Sequence, residues 1–223
     1  MKEHIQTLPL PMPFHMGLVN SYLIQKDSDF FLIDTGSSYS RRVLVRALEN
    51  AGCKPGQLKL ILLTHGDFDH TGNAAYLRGL YGAKIAMHAA DAEMLEGGDM
   101  FEGRKKPNAL IRTLLPMLSG FGKTERCAPD ILLQDGEHLS AYGLDARVVG
   151  IPGHSQGSIA ILTVDGELFC GDLLENLKNP ALGSIMDDAS TARTSLQKLR
   201  GLNIRVVFPG HGRPFQMHEL TGE

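Results

Sequence analysis

Apolar runs separated by short polar turns fill the first part of the chain and predict β-strands. QTLPLPM, NSYLIQ and DFFLIDTG are three such runs, and the polar stretch KDSD separates the second from the third. The period changes in residues 37–52, where apolar side chains recur on one face of a helix: Val43, Leu44, Ala47, Leu48 and Ala51. Serines at the start of this segment and Gly52 at its end predict its caps.

Strands and helices alternate along the rest of the chain. The segments LKLILL, KIAMH, DILLQ, DARVVGI, SIAILTV, ELFCG and IRVVFPG predict strands, and NAAYLRGLYG and SIMDDASTARTSLQKLRG predict helices. This order indicates sheets covered by helices, in an α/β or α+β fold. We expect a single domain over residues 1–223, with an insertion at about 96–128. The insertion is either a surface helix with a solvated basic face or a lid over a site.

Composition narrows the class of protein. Hydrophobic residues make up 43% of the chain and charged residues 21%, which is ordinary for a globular domain. A net charge of -3 argues against general binding to nucleic acid. No apolar stretch approaches the ~20 residues of a membrane span, and the start lacks the pattern of a secretion signal. We therefore expect a cytoplasmic protein with a small-molecule substrate, no membrane partner and an open possibility of a homodimer.

The residues that carry chemistry follow predicted strands. The stretch THGDFDHTGN comes directly after LKLILL and supplies two imidazoles and two carboxylates: His65, Asp67, Asp69 and His70. Three later strands each lead through glycine or proline to one more metal-capable side chain: His154, Asp172 and His211. Any one of these segments is typical of an ordinary turn. Their repetition at four strand ends predicts one site, and seven ligands suit two metal ions better than one.

The motifs resemble those of the metallo-β-lactamase superfamily and its glyoxalase II-like metallo-hydrolases. THGDFDHTGN, the two PGH triplets and the GD pair at 171–172 match its metal motifs, and NSYLI and LIDTG match its opening. The likeness runs from about residue 8 to residue 212. It implies a four-layer αββα sandwich, in which two mixed β-sheets are flanked by helices.

The resemblance also implies the arrangement of ligands around two divalent ions. One ion would be held by His65, Asp67 and His154. The other would be held by Asp69, His70 and His211, with Asp172 bridging the two. The family usually has histidine where this chain has Asp67, so Asp67 is either a ligand or an acid behind the ligands. Zinc is the favoured ion, and the extra carboxylate makes iron or manganese more plausible than at a histidine-rich site. An Asp67→His variant is expected to bind zinc more readily.

The predicted activity is metal-dependent hydrolysis of a small ester-like substrate: a thioester, a lactone or a phosphodiester. A hydroxide bridging the metals would attack the substrate, and Asp69 would orient the attacking water as well as bind metal. Asp34 either fixes a ligand imidazole or is simply a turn acid. Class B β-lactamases have a lysine at the position of Glu175, which argues against penicillin-type substrates. Two alternatives remain: a diiron redox or oxygen-handling protein resembling the flavodiiron core, and an inactive binding or regulatory member.

Substrate contacts are predicted at Arg104, Lys178 and Asn179. Arg104 lies in the basic stretch of the insertion with Lys105, Lys106 and Arg112, which would receive an anionic group if the insertion folds over the site. A solvated charge run explains the same stretch. Lys178 and Asn179 follow Asp172 closely, and a loop held by asparagine and proline explains them equally well. An Arg104→Ala variant is expected to change only substrate preference.

Overall fold

Two mixed β-sheets form the centre of the molecule, which a computed structural model describes for residues 4–104 and 122–221. The first sheet contains, in spatial order, β1 (His4–Pro11), β2 (Leu18–Lys26), β3 (Asp29–Ile33), β4 (Leu58–Leu62), β5 (Lys84–His88) and β6 (Ile131–Leu133). The first three strands are antiparallel, and β3 to β6 are parallel. The predicted strands of this half are thus confirmed.

The second sheet is mostly antiparallel. Its strands, in spatial order, are β12 (Phe215–Gln216), β11 (Val206–Gly212), β9 (Glu167–Asn176), β8 (Ile159–Thr163) and β7 (Ala146–Gly150), and β10 (Ala181–Leu182) pairs with β9. Only β9 and β11 run parallel to each other. This parallel pair is important for the site, because it carries two of the predicted metal ligands side by side.

The helices lie on the outer faces of the sheets. They are α1 (Arg41–Asn50), α2 (Phe68–Thr71), α3 (Ala74–Tyr81), α4 (Ala89–Gly97) and α5 (Ala189–Arg200). The sequence predicted α1, α3 and α5 but neither α2 nor α4. In α4 the buried Asp91 interrupts the apolar stripe, and α2 is barely one turn long, so neither shows a helical period.

Alternating side chains along the strands bury both faces of each sheet. On β3, Leu32 packs with the core under α1 and α3, whereas its neighbour Phe31 packs between the sheets with Phe169. On the second sheet, Leu168 and Val207 pack in the cluster that includes the apolar face of α5. The layers are therefore helix, sheet, sheet and helix, and the expected αββα sandwich is confirmed.

The helix starts depart from the prediction in one case. Ser40 occupies the N-cap of α1, but its hydroxyl donates to the Ser37 carbonyl at 2.8 Å rather than accepting from the helix, so the expected serine cap is wrong. At α5 the cap is Asp188, whose Oδ1 accepts from the backbone N–H groups of Ser190 and Thr191 at 2.9 and 3.0 Å. Within the described residues, the helices are too short or too polar to cross a membrane.

Candidate metal centre

The seven predicted ligands meet at one edge of the sandwich. His65 follows β4, His154 follows β7, and Asp67 and Asp69 lie at and within the start of α2. A cavity of about 310 Å³ opens over them, and five of the seven line it: Asp67, Asp69, His154, Asp172 and His211. His65 and His70 lie deeper and are almost entirely buried.

Two of the ligands lie inside strands, not after strand ends as the sequence suggested. Strand β9 continues past Asp172 to Asn176, and His211 lies within β11. The chain bends at Gly171, which has a φ of +49°, and β11 shifts register on both sides of Pro209. A Cβ at Gly210 would lie 2.2 Å from Oδ1 of Asp172, so this approach requires glycine.

The first group of ligands surrounds the side chain of Asp67. Its Oδ2 lies 3.0 Å from Nε2 of His154 and 3.7 Å from Nε2 of His65. Ligand atoms on a tetrahedral ion with ~2.0–2.1 Å bonds lie roughly 3.3–3.4 Å apart. The two separations lie on either side of that distance, and the shorter one is a direct hydrogen bond between Asp67 and His154. Ligand atoms of His65, His154 and Asp172 also lie within 4.8 Å of one another.

The second group is built around Asp172. Nε2 of His211 lies 3.4 Å from Oδ2 of Asp172 and 3.4 Å from Oδ2 of Asp69. The other oxygen of Asp172, Oδ1, lies 3.2 Å from Nε2 of His70. Ligand atoms of Asp69, His70 and His211 lie within 4.8 Å of one another. Asp172 therefore contacts both histidines of the second group, and its ligand atom also lies within 4.8 Å of those of His65 and His154 in the first, as a bridging ligand requires.

The hydrogen bonds at Nδ1 direct the Nε2 atoms of three histidines into the site. Nδ1 of His70 contacts the Asp34 carboxylate at 2.9 Å, Nδ1 of His154 the Ile185 carbonyl at 2.8 Å, and Nδ1 of His211 the Leu18 carbonyl at 3.0 Å. These oxygens only accept, so each Nδ1 carries the proton. In the neutral rings the lone pair is then on Nε2, facing the site, as metal binding requires.

The fourth histidine follows the same rule through a hydroxyl. Nδ1 of His65 lies 2.9 Å from Oγ1 of Thr64, and that hydroxyl is 2.8 Å from Oδ2 of Asp34. Because Thr64 gives its single proton to the Asp34 carboxylate, its oxygen accepts from His65. All four imidazoles thus direct Nε2 toward the same space.

Three buried atoms in this space have no hydrogen-bond partner among the described residues: Nε2 of His65, Nε2 of His70 and Oδ1 of Asp172. Leaving such an atom unsatisfied in the interior costs about 1–3 kcal/mol, and more for a charged group. A cation between them would satisfy lone pairs that no donor reaches. The donor set therefore fits metal ions.

The charges of the site shift the pKa values of the imidazoles. Burial lowers the pKa of His65 well below its ordinary value, and the adjacent His70 and His154 lower it further. Burial also opposes charge on His154 and His211, but carboxylates outweigh it: Asp67 raises the pKa of His154 to about 9, and Asp172 raises that of His211 to about 10. Cations entering the site must displace these protons.

Comparison with known proteins agrees with this geometry. The family model of the metallo-beta-lactamase superfamily matches residues 16–211. The chain belongs to the metallo-β-lactamase superfamily. The match begins between β1 and β2 and covers all seven ligands, strands β2 to β10 and nearly all of β11.

Relatives and solved structures cover most of the chain. It is 30% identical over 226 residues to acyl-coenzyme A thioesterase MBLAC2 of Bos taurus, a match covering 90% of this chain and 75% of that protein. The metallo-beta-lactamase family protein TTHA1429 from Thermus thermophilus has a TM-score of 0.71 at 30% identity, covering 95% and 74% of the two chains. TTHA1623, solved in a di-iron-bound form, has a TM-score of 0.70 at 26% identity, covering 94% and 95%.

The departure from the family pattern at Asp67 comes with a specific partner. The Arg104 guanidinium forms an ion pair with Oδ1 of Asp67, and both side chains are only 9% exposed. Arg104 also contacts Asp187 at 2.7 Å and the carbonyl of His154 at 3.3 Å. The guanidinium of Arg104 is therefore already bound by protein groups. None of these contacts supports the predicted role of Arg104 in binding substrate.

Asp34 connects the opening strands of this superfamily domain to the ligands. It is 2% exposed and adopts a positive φ of 56° at the end of β3. Its Oδ1 accepts from the backbone N–H of Thr64, and its Oδ2 accepts from His70. Of the two roles that the sequence left open, these contacts are those of an acid that orients a ligand imidazole.

A second buried acid, Asp91, was missed by the sequence analysis. Its Oδ2 accepts from the backbone N–H of Gly66 at 3.0 Å and from the hydroxyl of Ser155 at 2.6 Å, and its Oδ1 accepts from the N–H of Gly157 at 2.8 Å. It therefore joins the loop after His65 to the loop after His154. An acid in the first turn of a helix usually faces solvent, so its sequence position carried no signal.

The other predicted substrate contacts lie away from the cavity wall or outside the described residues. Lys178 and Asn179 are exposed and do not line the cavity, although the neighbouring Leu177 does. Glu175 lines the cavity, and its Oε2 lies 3.3 Å from the backbone nitrogen of Ser184. The basic residues Lys105, Lys106 and Arg112 of the insertion fall outside the described residues.

Proposed function

We propose that the protein is a binuclear metal-dependent hydrolase that acts on thioesters with an apolar acyl group. The observation that carries the proposal is the set of four imidazole Nε2 atoms and three carboxylates that face one space at the floor of a cavity. Bound there, two divalent ions would lower the pKa of a water molecule and polarise the carbonyl oxygen of a substrate.

Two carboxylates of the chain have distinct roles beside those ions. Asp172 contacts His70 and His211 of the second group, and its ligand atom lies within 4.8 Å of those of His65 and His154 of the first, so it is placed to link the two groups. The Asp69 side chain is 23% exposed and lines the cavity, which leaves it accessible to the attacking water. We assign Asp69 the role of orienting that water and holding its proton.

The walls of the cavity favour an apolar substrate. Methionines and aliphatic residues surround the polar floor: Met12, Met16, Leu18, Met100, Leu177 and Ile185. Four of them are 53–74% exposed, a high exposure for large apolar side chains: Met16, Leu18, Leu177 and Ile185. Exposed apolar groups around a cavity are typical of a binding surface, and flexible methionines adapt to acyl chains of different shape.

The same lining disfavours phosphodiesters. Among the described residues that line the cavity there is no lysine or arginine, whereas Glu175 and three ligand aspartates add negative charge. A phosphodiester anion would depend on the metal ions alone for electrostatic attraction. Between the remaining classes, the relative MBLAC2, named as an acyl-coenzyme A thioesterase, supports thioesters over lactones.

Four imidazoles suit zinc, and we propose zinc as the natural ion, with iron or manganese as the competing outcomes. Two observations favour iron: the carboxylate of Asp67 in place of a histidine, and the di-iron-bound form of the similar protein TTHA1623. Elemental analysis of protein purified without added metal decides between them. Two irons with oxygen consumption and no ester turnover would instead support the redox alternative.

The decisive activity test compares substrate classes on one preparation. Acetyl, butyryl and octanoyl thioesters of one thiol are assayed by thiol release with Ellman's reagent. A lactone with an octanoyl side chain is assayed by acid release with a pH indicator, and bis(p-nitrophenyl) phosphate by release of p-nitrophenolate. Octanoyl has six more methylenes than acetyl, each worth up to ~0.8 kcal/mol when fully removed from water. Because an open cavity covers only part of the acyl chain, we expect about a third to a half of this total, a rise in kcat/KM of about 10- to 100-fold. Faster turnover of the phosphodiester than of every thioester would overturn the substrate proposal.

A further inference from the structure

We propose that Asp67 and Arg104 together replace the histidine that the superfamily usually has at this position. In this pair Asp67 gives one oxygen to the first metal ion, and Arg104 cancels the negative charge that the carboxylate adds. The inference rests on the metal sites of the proposed function, but on neither the substrate nor the reaction.

The two carboxylate oxygens of Asp67 face different partners. Oδ1 accepts from the Arg104 guanidinium, while Oδ2 lies between Nε2 of His154 and Nε2 of His65, at 3.0 and 3.7 Å. With Oδ1 occupied, the carboxylate offers a single ligand atom. A single atom is also what an imidazole would offer in the same place.

Arg104 is held where its charge acts on Asp67. Nη1 also donates to the Met100 carbonyl at 3.2 Å, Nη2 donates to the His154 carbonyl at 3.3 Å, and Nε lies 2.7 Å from Oδ2 of Asp187. With 9% of the side chain exposed, reaching into the cavity would require breaking several of these contacts. Guanidinium is suited to such a place because its donors point in fixed directions and it stays charged.

Charge counting shows that the Asp67–Arg104 pair gives the site the same net charge as a histidine would. Two divalent ions and three carboxylates leave a net charge of +1, whereas a histidine at position 67 would leave +2. Arg104 restores +2. Among the described residues Asp187 also pairs with Arg104, but it contacts Nε and its side chain is 39% exposed, so water screens its charge more strongly than that of Asp67.

The sequence alone suggested that Asp67→His would bind zinc more readily, and the ion pair with Arg104 reverses that expectation. In that variant a fixed positive charge would face two cations without the carboxylate that cancels it. The variant should therefore bind its first metal ion less tightly, not more. Removing the charge at Arg104 in the same background should restore the affinity.

The test is a set of variants titrated with Zn²⁺ against a chromophoric chelator, without substrate. The binding step that disappears in His154→Ala defines the first site. Asp67→His should weaken that step at least ~10-fold, the loss typical of an altered group around a metal, and Asp67→His/Arg104→Gln should return it to within about threefold of the parent. Arg104→Gln alone should bind at least as tightly as the parent, because the carboxylate is then uncancelled.

Two further variants separate charge from shape and from general destabilisation. Asp67→His/Arg104→Lys relieves crowding but keeps the charge, so its first step should stay weak. Arg205→Gln removes an ion pair with Glu167. Both residues lie where β9 and β11 begin, away from the ligands on those strands, so this variant should change neither binding step.

Three results would overturn the proposal. The first is tight binding by Asp67→His alone. The second is recovery with lysine as complete as with glutamine, which would indicate steric crowding. The third is loss of the first step in Arg104→Gln, which would mean that Arg104 shapes the carboxylate instead of balancing its charge. Because no substrate is present, each result leaves the proposed hydrolysis to be judged separately.

Discussion

The two halves of the metal centre use different means to hold a similar set of ligands. The second group, Asp69, His70 and His211, lies on α2 and β11, and His70 is fixed by Asp34 at the end of a core strand. In the first group, His65 follows core strand β4, but His154 lies on a loop, and Asp67 forms an ion pair with Arg104, a residue beyond α4.

This difference indicates where the site tolerates variation. The second group is fixed by backbone that also carries the core, so a change there disturbs both folding and metal binding. In the first group only His65 is fixed in this way, whereas Asp67 and His154 contact groups from separate loops, which can change together. A carboxylate for histidine exchange is therefore easier to accommodate in the first group, provided that a compensating charge is within reach.

The largest effect is expected from the residue that belongs to both halves. Asp172→Ala removes a carboxylate that contacts His70 and His211 in the second group and has its ligand atom within 4.8 Å of those of His65 and His154 in the first. Both binding steps should weaken, and ester turnover should fall by at least ~1000-fold, which corresponds to about 4 kcal/mol of lost stabilisation. Chelator titration and thiol release measure the two effects. Retention of one unperturbed binding step would show that Asp172 is not shared.

Protonation should weaken both halves as the pH falls. The raised pKa values of His154 and His211, about 9 and 10, mean that below pH 9 and without metal both rings carry a second proton and a positive charge. Each ion must displace it, so apparent affinity should fall up to ~tenfold per pH unit below pH 9. Calorimetry in buffers of different ionisation enthalpy counts the released protons. Equal affinities at pH 6 and pH 8 would contradict this prediction.

The two buried acids should act differently on the two halves. Asp34→Asn weakens the orientation of His70 directly and of His65 through Thr64, so it should reduce affinity in both steps. Asp91→Asn loosens both loops of the first group and should reduce affinity in the first step alone. We expect a ~10–100-fold change in each case. Asp135→Asn, which loses a surface pair with Lys198, is the matched control. A second step weakened as much as the first by Asp91→Asn would remove the distinction between the halves.

The smallest effects are expected at the exposed residues beside the cavity. Lys178→Ala and Asn179→Ala should change kcat/KM less than about twofold, in keeping with ordinary surface substitutions. Leu177→Ser, on the cavity wall, should lower it for octanoyl but not for acetyl thioesters. A larger loss in the lysine variant would restore its predicted contact with substrate.

The strands, three helices and seven candidate ligands could be predicted because each has a local signal. Apolar periods mark the strands, and the cluster from His65 to His70 lies next to one of them. Arg104 and Asp91 have no such signal. Their partners lie 37 and 64 residues away along the chain, at Asp67 and Ser155, and only the packing of loops brings them together.

The path of the strands through the site was also beyond local rules. Glycine and proline before Asp172 and His211 predicted turns, because both residues usually end strands. In the structure β9 and β11 continue past these ligands, since their pairing outweighs the local preference and the glycines allow close approach.

Metal stoichiometry tests the central claim most directly. Elemental analysis after loading and desalting should find two ions per chain in the parent, and one each in His154→Ala and His211→Ala. One ion or none in the metal-loaded parent, with the protein folded, would contradict a binuclear site and the chemistry proposed for it.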